Sequence, residues 1–455
     1  MASKKPPSSD THINDIISRI DPKMSGKTMF DLMSNLFPIC RSITGSGVLE
    51  TFAILRNYID LRIHEVPTGY QAYDWVVPKE WNIRDAYIKN KHGERVIDFK
   101  QSNLHVVNYS PPISATMSLD QLKPHLHTKP DMPNAIPYVT SYYKEQWGFC
   151  LTQNQLDALP KGEYEILIDS SLIEGKLTYA DAILPGKSEK EILLSTYVCH
   201  PSLANDNLSG PALTSLLYQI LAQTNLRYTY RFVFVPETLG TLVYLSKHGE
   251  HMERNLRAGY VVTCVGNSGP YTYKRSRQGN SIADKVAEHC LKHVEEQETI
   301  NVVDFFPLGS DERQYCSPGF NFPVGSLMRS MYGTYPEYHT SLDNMEFVSK
   351  EELAGSLKVY GRVIQVHELN RIYINPSPYG EPHLSKHGLY PAIGGQKEGR
   401  ESVERTMYLL AYADGINDLV DIANIANQPA WAFTPEVEAL TKAGLLRIHE
   451  ENAGR

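Results

Sequence analysis

Short apolar runs alternate with longer amphipathic segments between residues 191 and 369, and this alternation constrains the fold more than any other feature. The runs EILLSTYV, YTYRFVFV, GYVVTCV and FPVGSLM have the length and the β-branched or aromatic content of strands. The segments between and after them, such as SGPALTSLLYQILAQ and SKEELAGSLKVYGRVIQVHEL, carry apolar residues at helical spacing. This order predicts an α/β fold with a doubly wound, mostly parallel mixed sheet. One further run, KLTYADAIL, is followed by the turn PGKSEK and then by EILLSTYV. This order predicts a hairpin formed by KLTYADAIL and EILLSTYV.

Two other regions have a different texture. Residues 68–172 are rich in Trp, Tyr and Pro and contain short alternating segments, which predicts an inserted β-rich domain. The α/β domain is therefore assigned to residues 12–67 and 173–390. Residues 396–455 contain three helical segments with a helix-turn-helix rhythm and predict a small winged-helix-like domain.

The charge of the C-terminal domain argues against DNA binding. Residues 401–455 contain nine acidic and four basic residues. The segment that would serve as recognition helix has Glu436 and Glu438 against a single Lys442. Contact with phosphates requires the opposite sign. We therefore expect no nucleic-acid partner, and we favour a packing or protein-contact role for this domain.

Length, charge and cysteine content limit the number of domains, the membrane association and the compartment that can be expected. The chain has 455 residues, which is enough for two or three domains. Its net charge is −8, and it has no basic face that would suit a nucleic acid. No apolar run reaches the roughly 18 residues of a membrane span, so no membrane partner is expected. The start, MASKKPPSSD, lacks the apolar core of a secretory signal, and the six cysteines show no C-x-x-C spacing. These features predict a cytoplasmic protein with reduced cysteines, and a homo-oligomer stays an open hypothesis.

Polar residues follow the predicted strands at their C-terminal ends. His200 and Asp206 come after EILLSTYV, and Glu237 comes after YTYRFVFV. Asp311 lies in the later segment GSDER, and His339 lies in YPEYHTSLDN after FPVGSLM. In open α/β sheets the carboxyl ends of the strands form the ligand-binding edge. Imidazoles and carboxylates that converge there are a ligand set suited to zinc.

Each of these residues also has a simpler interpretation. Asp206 can cap the following helix, although Ser209 serves equally well. His200 can be an ordinary loop histidine, and Glu237 can interact with a helix dipole. The joint pattern favours a site, because polar residues recur at the C-terminal ends of the strands.

The ordered set of motifs resembles a known family. The chain resembles the zinc-dependent exopeptidase superfamily, which includes leucyl-type aminopeptidases and glutaminyl cyclases. The motifs that carry this resemblance are, in order, a histidine after a strand, N-D-N-x-S-G before a helix, a glutamate after the next strand, S-D-x and Y-H-T-x-x-D. The stretches CRSITG, DWVVPKEW and YPEYHTS more closely resemble a group of aminopeptidase-like proteins. Members of that group carry an inserted β domain and a C-terminal winged-helix module, and are often linked with polysaccharide or secondary-metabolite gene clusters.

The resemblance implies roles for four residues. It makes His200 and His339 zinc ligands, Asp206 the aspartate that bridges two metals in two-zinc members, and Glu237 the general base.

The chain departs from the two-zinc pattern at three positions. Thr238 stands in place of a second glutamate, Thr263 or Cys264 in place of an aspartate, and Ser202 in place of the aspartate that orients the first histidine. We therefore expect one zinc ion, held by His200, Asp206 and His339 with help from Asp311 or Glu312. A two-metal site rebuilt from Asp311 and Glu237 is the alternative.

Substrate contacts are predicted in the loop before His339. Arg329 can clamp a substrate carboxylate or form a structural salt bridge, and these two interpretations carry equal weight. Tyr332, Tyr335 and Tyr338 are interpreted as walls of a pocket.

The function expected from the resemblance is metal-dependent hydrolysis of an amide bond in a small peptide or amino-acid conjugate. A catalytically silent scaffold, or a deacylase or cyclase acting on an amino-sugar or peptide conjugate, are the alternatives.

Overall fold

An eight-stranded mixed sheet forms the centre of the computed structural model, which describes residues 15–294, 298–389 and 397–449. The N-terminal stretch MASKKPPSSD and the domain junction at residues 390–396 lie outside the described residues. The strands follow one another across the sheet in the order Arg62–Pro67, Lys176–Leu184, Tyr228–Val235, Ser188–Tyr197, Leu256–Val262, Val324–Met328, Tyr271–Lys274 and Ile300–Val303.

The four central strands, from Tyr228–Val235 to Val324–Met328, are parallel, and antiparallel strands flank them on both sides. Alternate side chains of strand Ser188–Tyr197 enter different cores. Ile192 and Leu194 pack with the helices on one face, whereas Leu193 packs with helix Leu239–Asn255 on the other. A strand covered on both faces is apolar along its whole length. The prediction of a doubly wound, mostly parallel mixed sheet is confirmed.

The predicted hairpin is wrong. Strands Lys176–Leu184 and Ser188–Tyr197 do not pair, because the later strand Tyr228–Val235 lies between them. Gly186 in the connecting turn passes so close to the backbone that a Cβ atom there would lie 2.2 Å from the Tyr228 carbonyl oxygen. Insertion of a later strand is a long-range choice that the local pattern cannot reveal.

Nine main α-helices cover the sheet and build the C-terminal module in the described part of the chain. They are Pro22–Leu36, Ser46–Leu55, Ser209–Leu221, Leu239–Asn255, Ile282–Lys292, Lys350–Leu369, Lys397–Tyr412, Leu419–Ile425 and Thr434–Lys442. Short helical turns occur at Asp15–Ser18, Leu119–Leu122, Gln153–Asp157 and Glu312–Tyr315. None of the helices described combines the length and apolar character needed to cross a membrane.

The inserted segment forms its own antiparallel sheet. The chain leaves the main sheet at Pro67 and returns to it at Lys176. Between these points four strands pair in the order Arg95–Asp98, Glu80–Lys89, Glu163–Ile173 and Ile113–Ser118, over a separate small core. The shorter strands Gln71–Ala72, Trp75–Val76, Leu126–His127 and Phe149–Cys150 pair in two small two-stranded sheets.

The C-terminal module packs against the α/β domain. Strand Ile372–Ile374, which the sequence places in the α/β domain, pairs instead with strands Asp414–Asp418 and Arg447–Ile448 of this module. Lys285 forms salt bridges of 2.9 and 2.7 Å with Asp418 and Asp421. Lys285 thus balances part of the negative charge of these two acidic groups within the contact between the module and the α/β domain.

Candidate active site

The functional residues converge because three parallel strands end at one edge of the sheet. His200 lies just past strand Ser188–Tyr197, and Glu237 lies just past its neighbour Tyr228–Val235. Thr263 directly follows the neighbour on the other side, Leu256–Val262. The parallel register therefore brings distant parts of the chain to a common edge, as the sequence predicts.

The backbone at this edge is unusual. Ser202, Thr238, Cys264 and His339 have positive φ angles of 41°, 62°, 52° and 54°. Residues other than glycine rarely adopt this backbone conformation. A β-branched residue such as Thr238 adopts it at a cost of about 1–3 kcal/mol. Such strained residues cluster at functional sites, where the surrounding structure holds them in place.

His200, Asp206 and His339 form a group of possible metal ligands whose ligand atoms all lie within 4.8 Å of one another. The Oδ2 atom of Asp206 lies 3.0 Å from Nε2 of His339. Both atoms are buried, and neither has a hydrogen-bond partner among the described residues apart from the other. Buried polar atoms normally have a partner. Two imidazoles and a carboxylate with ligand atoms this close together fit a zinc ion, which takes three protein ligands at a catalytic site.

Asp206 is oriented by its other oxygen. The Tyr197 hydroxyl donates a hydrogen bond to Oδ1 of Asp206 and lies 2.6 Å from the Thr263 hydroxyl. Thr263 thus supports the ligand instead of acting as one. Burial opposes the negative charge, but the His200 and His339 imidazoles hold the pKa of Asp206 below its ordinary value. Asp206 is therefore ionised, as a metal ligand must be.

The loop that carries Asp206 is held by polar side chains on both sides. The Asp343 carboxylate accepts hydrogen bonds from the backbone N–H groups of Asn205 and Asp206, at 2.6 and 2.9 Å. Asn205 in turn accepts one from Gly266, and Asn207 donates one to Thr196. Neither oxygen of Asp206 accepts a hydrogen bond from the N-terminus of helix Ser209–Leu221. The interpretation of Asp206 as a helix cap is therefore wrong.

His200 is a buried, neutral imidazole. Burial lowers its pKa to about 4, although the negative charge of Asp206 opposes this shift. Its Nδ1 atom lies 3.4 Å from the Cys199 sulfur, whereas the Ser202 hydroxyl points away and donates to the Phe37 carbonyl. A neutral imidazole is the form that binds a metal, so no proton has to leave His200 near neutral pH.

Arg41, from the CRSITG turn, fixes the backbone under His200. This arginine is 1% exposed, and its Nε atom donates to the His200 carbonyl oxygen at 2.9 Å. Its Nη1 atom donates to the Leu36 carbonyl oxygen at 2.7 Å. In the sequence this stretch carries part of the family resemblance; its proximity to the site depends on the packing of the first helices.

Arg41→Met is expected to weaken zinc binding by about 10–100-fold, the range seen when a group that supports a metal ligand is lost. The variant leaves the buried His200 carbonyl group without a donor and lets the His200 loop shift, whereas the Leu36 carbonyl keeps the Ile39 N–H. A chelator-competition titration measures the affinity. Arg41→Lys, which keeps the charge but not the planar fork, should lose less; an unchanged affinity in both variants would contradict this role.

Glu237 lies beside the histidine cluster without belonging to it. One carboxylate oxygen is 3.8 Å from Nε2 of His200, and a quarter of the side chain is exposed. Desolvation, together with the negative charges of Asp311 and Asp206, raises the pKa of Glu237 well above its ordinary value. Glu237 is thus a carboxylate with raised proton affinity at the open side of the site. It also forms a second candidate metal group with Cys199 and His200.

Asp311 and Glu312 differ in their availability. The Oδ1 atom of Asp311 accepts a hydrogen bond from the Thr238 backbone at 2.7 Å, and its Oδ2 atom is buried without a partner. Asp311 belongs to neither of the two metal-ligand groups found among the described residues. Glu312 is committed elsewhere, because it forms a fully buried 2.7 Å salt bridge with Lys274 and accepts from Tyr332 at 2.8 Å. Tyr332 therefore supports this ion pair.

Aromatic rings enclose the histidines, and part of this wall comes from the inserted domain. Tyr338 stacks on His339 with ring centroids 4.0 Å apart. Tyr138 lies 5.3 Å from the His200 ring and 5.2 Å from the His339 ring, and its hydroxyl is 3.2 Å from that of Tyr142. The backbone N–H of Tyr138 also donates to the His339 carbonyl oxygen at 2.8 Å. The sequence analysis missed Tyr138 and Tyr142, since no local signal links residues 138–142 to His339.

Arg329 is not at this cluster. Its guanidinium is 3% exposed and forms salt bridges of 3.1 Å with Glu298 and 2.5 Å with Glu352. It also lies over the Tyr271 ring, 4.0 Å from the centroid. Of the two interpretations left open, the structural salt bridge is correct and the substrate clamp is wrong.

Comparison with known proteins places this geometry in a family. Residues 30–370 match the family described as Domain of unknown function (DUF4910), and residues 371–448 match a winged helix-turn-helix family. A Clostridium acetobutylicum relative is 49% identical over 424 residues, which are 93% of this chain and 97% of the relative. Its name assigns it provisionally to polysaccharide biosynthesis and gives it an aminopeptidase-like domain.

Solved structures show the same fold. A crystal structure from Clostridium acetobutylicum has a TM-score of 0.90 and 47% identity, and covers 96% of this chain and 99% of that chain. A zinc aminopeptidase from Bacillus subtilis has a TM-score of 0.55 and 12% identity, and covers 76% of this chain and 94% of that chain. The predicted aminopeptidase-like fold and the C-terminal winged-helix domain are confirmed.

Proposed function

The chain belongs to the family described as Domain of unknown function (DUF4910), and from this premise we propose that it is a zinc-dependent hydrolase of an amide bond. The observation that carries the proposal is the pair formed by Asp206 Oδ2 and His339 Nε2, two buried ligand atoms 3.0 Å apart that have no hydrogen-bond partner apart from each other. His200 completes the set of three zinc ligands. The aminopeptidase-like fold supports a peptidase-like hydrolase.

A single zinc ion suits this site better than two. Thr238 and Thr263 occupy the positions at which the resemblance expects two further carboxylates, and both hydroxyls are engaged with other side chains. When bound, the zinc ion supplies a Lewis acid that polarises the scissile carbonyl and acidifies a water molecule.

Glu237 acts as the general base in this proposal. Its carboxylate accepts the proton of the attacking water and returns it to the nitrogen of the leaving amine. The raised pKa lets Glu237 hold the proton between these two steps. Tyr138 and Tyr338 confine the substrate against the two histidines.

The substrate class follows from the fold and from the relative. We propose a small peptide or an amino-acid conjugate, since the relative combines an aminopeptidase-like domain with a name in polysaccharide biosynthesis. An amide bond on an amino sugar would suit both an amide hydrolase and polysaccharide biosynthesis.

Metal analysis tests the proposal. We expect about one zinc ion per chain after zinc loading and dialysis, as for a catalytic zinc with three protein ligands. Elemental analysis by mass spectrometry measures the ratio. Two ions per chain would contradict the single-metal site, and the absence of any tightly bound divalent metal would favour a catalytically silent scaffold.

A further inference from the structure

Arg313 is a half-buried cation next to the proposed base. It lies in the short helix Glu312–Tyr315, and its Nη2 atom donates a hydrogen bond to the Thr238 hydroxyl at 2.8 Å. Thr238 directly follows Glu237 in the chain. The Nε atom of Arg313 is buried and makes no hydrogen bond with any described residue. A guanidinium thus lies beside Thr238, the residue at whose position the resemblance expects a carboxylate for a second metal.

Half-buried arginines such as Arg227 and Arg371 donate to backbone carbonyl groups, whereas others of the described chain have carboxylate partners. Among these pairs are Arg231 with Glu191 at 2.7 Å, Arg275 with Glu288 at 2.6 Å, and Arg405 with Glu436 at 3.0 Å. Across residues 15–294, 298–389 and 397–449, no carboxylate lies within 4.0 Å of Arg313. A partly desolvated guanidinium with free N–H donors is costly unless it gains a partner.

The charges around Arg313 explain why it can remain unpaired. Glu237 and Asp311 lie close enough for the Arg313 charge to act on both, although neither touches it. Their negative field stabilises the cation at a distance, without a direct ion pair. The positive charge of the guanidinium beside Thr238 disfavours a second divalent ion at that place.

We propose that Arg313 binds a carboxylate of the substrate, so that the enzyme acts on an acidic peptide or amino-acid conjugate. The inference rests on the proposed function for the position of the scissile bond, but the binding itself does not need zinc. A planar guanidinium fork matches a carboxylate. A carboxylate carries one charge and is repelled by Glu237 and Asp311 less than a doubly charged phosphate is.

A pair of probes that differ only in charge tests this inference. Glutarate and its neutral counterpart glutaramide are titrated by ligand-observed NMR into zinc-loaded and metal-free protein. In both states we expect glutarate to bind about tenfold more tightly or better, the usual effect of a charge-assisted hydrogen bond. In the metal-free protein, Arg313→Met should reduce the affinity for glutarate to that for glutaramide. Arg313→Lys should keep part of the preference for glutarate.

Arg275→Met is the matched control, because it removes the same charge from a residue paired with Glu288 and Asp304. It should leave the preference for glutarate unchanged. Equal binding of the two probes by the metal-free wild type, or a preference that survives in Arg313→Met, overturns the inference. Zinc content is measured on the same samples. A failure to bind zinc counts against the proposed hydrolase, whereas the probe titrations of the metal-free protein still test the role of Arg313.

Discussion

Glu237→Gln is expected to keep the bound zinc and to lose about 100- to 10,000-fold of amide hydrolysis, the usual contribution of a general base. Glutamine has the same size as glutamate but cannot accept the water proton. Glu237 lies 3.8 Å from His200 and outside the group formed by His200, Asp206 and His339, so the metal site should survive. The loss should appear in kcat, since the base acts on the reacting water.

The substrate for this measurement is found by screening the wild type against a panel of aminoacyl amides and N-acylated amino sugars. Glu250→Gln is the control, because Glu250 lies on the surface of helix Leu239–Asn255, where 86% of its side chain is exposed. It should retain wild-type kcat. Full turnover by Glu237→Gln would show that another group takes the proton.

Asp206→Asn should abolish tight zinc binding, with a loss in affinity well beyond the roughly 10–100-fold attributed to supporting residues. The change replaces an ionised carboxylate by an amide of the same shape. A neutral amide oxygen is a weak ligand for zinc, which prefers anionic oxygen, imidazole or thiolate. The Tyr197 hydrogen bond to Oδ1 can be retained, so the loop should keep its conformation.

His339→Ala tests the same site from its more exposed side, because 35% of the His339 side chain is accessible. It should also lose zinc with little change in folding. Asp304→Asn is the control for both variants, since 85% of that side chain is exposed. Competition with a zinc-binding dye measures the affinities, and circular dichroism checks the fold. Wild-type affinity in both Asp206→Asn and His339→Ala would remove the basis for the metal site.

Local patterns were sufficient for much of the fold and for the choice of site residues. The parallel strands were recognisable because they are buried on both faces, which makes runs such as EILLSTYV and YTYRFVFV apolar throughout. His200, Asp206 and Glu237 were recognisable because they follow those strands directly. His339 lies much further along the chain, and its place in the cluster rested on the family resemblance.

Contacts between distant segments were not accessible to this reasoning. Strand Tyr228–Val235 separates the two strands of the predicted hairpin, and Tyr138 reaches the histidines from the inserted domain. Arg329 and Arg313 look alike as loop or turn arginines in the sequence. In the structure the first is neutralised by two glutamates, whereas the second stands unpaired beside Thr238.

The sequence by itself determined the α/β architecture, the C-terminal winged-helix unit and the candidate ligands His200 and Asp206, because periodicity and position after a strand are local properties. The family resemblance added His339. Only the tertiary structure decided which polar groups have partners. Thr263 supports Asp206 through Tyr197, Arg41 holds the His200 loop, and the paired ligand atoms of Asp206 and His339 have no hydrogen-bond partner apart from each other. Whether a buried polar atom is satisfied depends on residues far away in the chain, which become its neighbours only on folding.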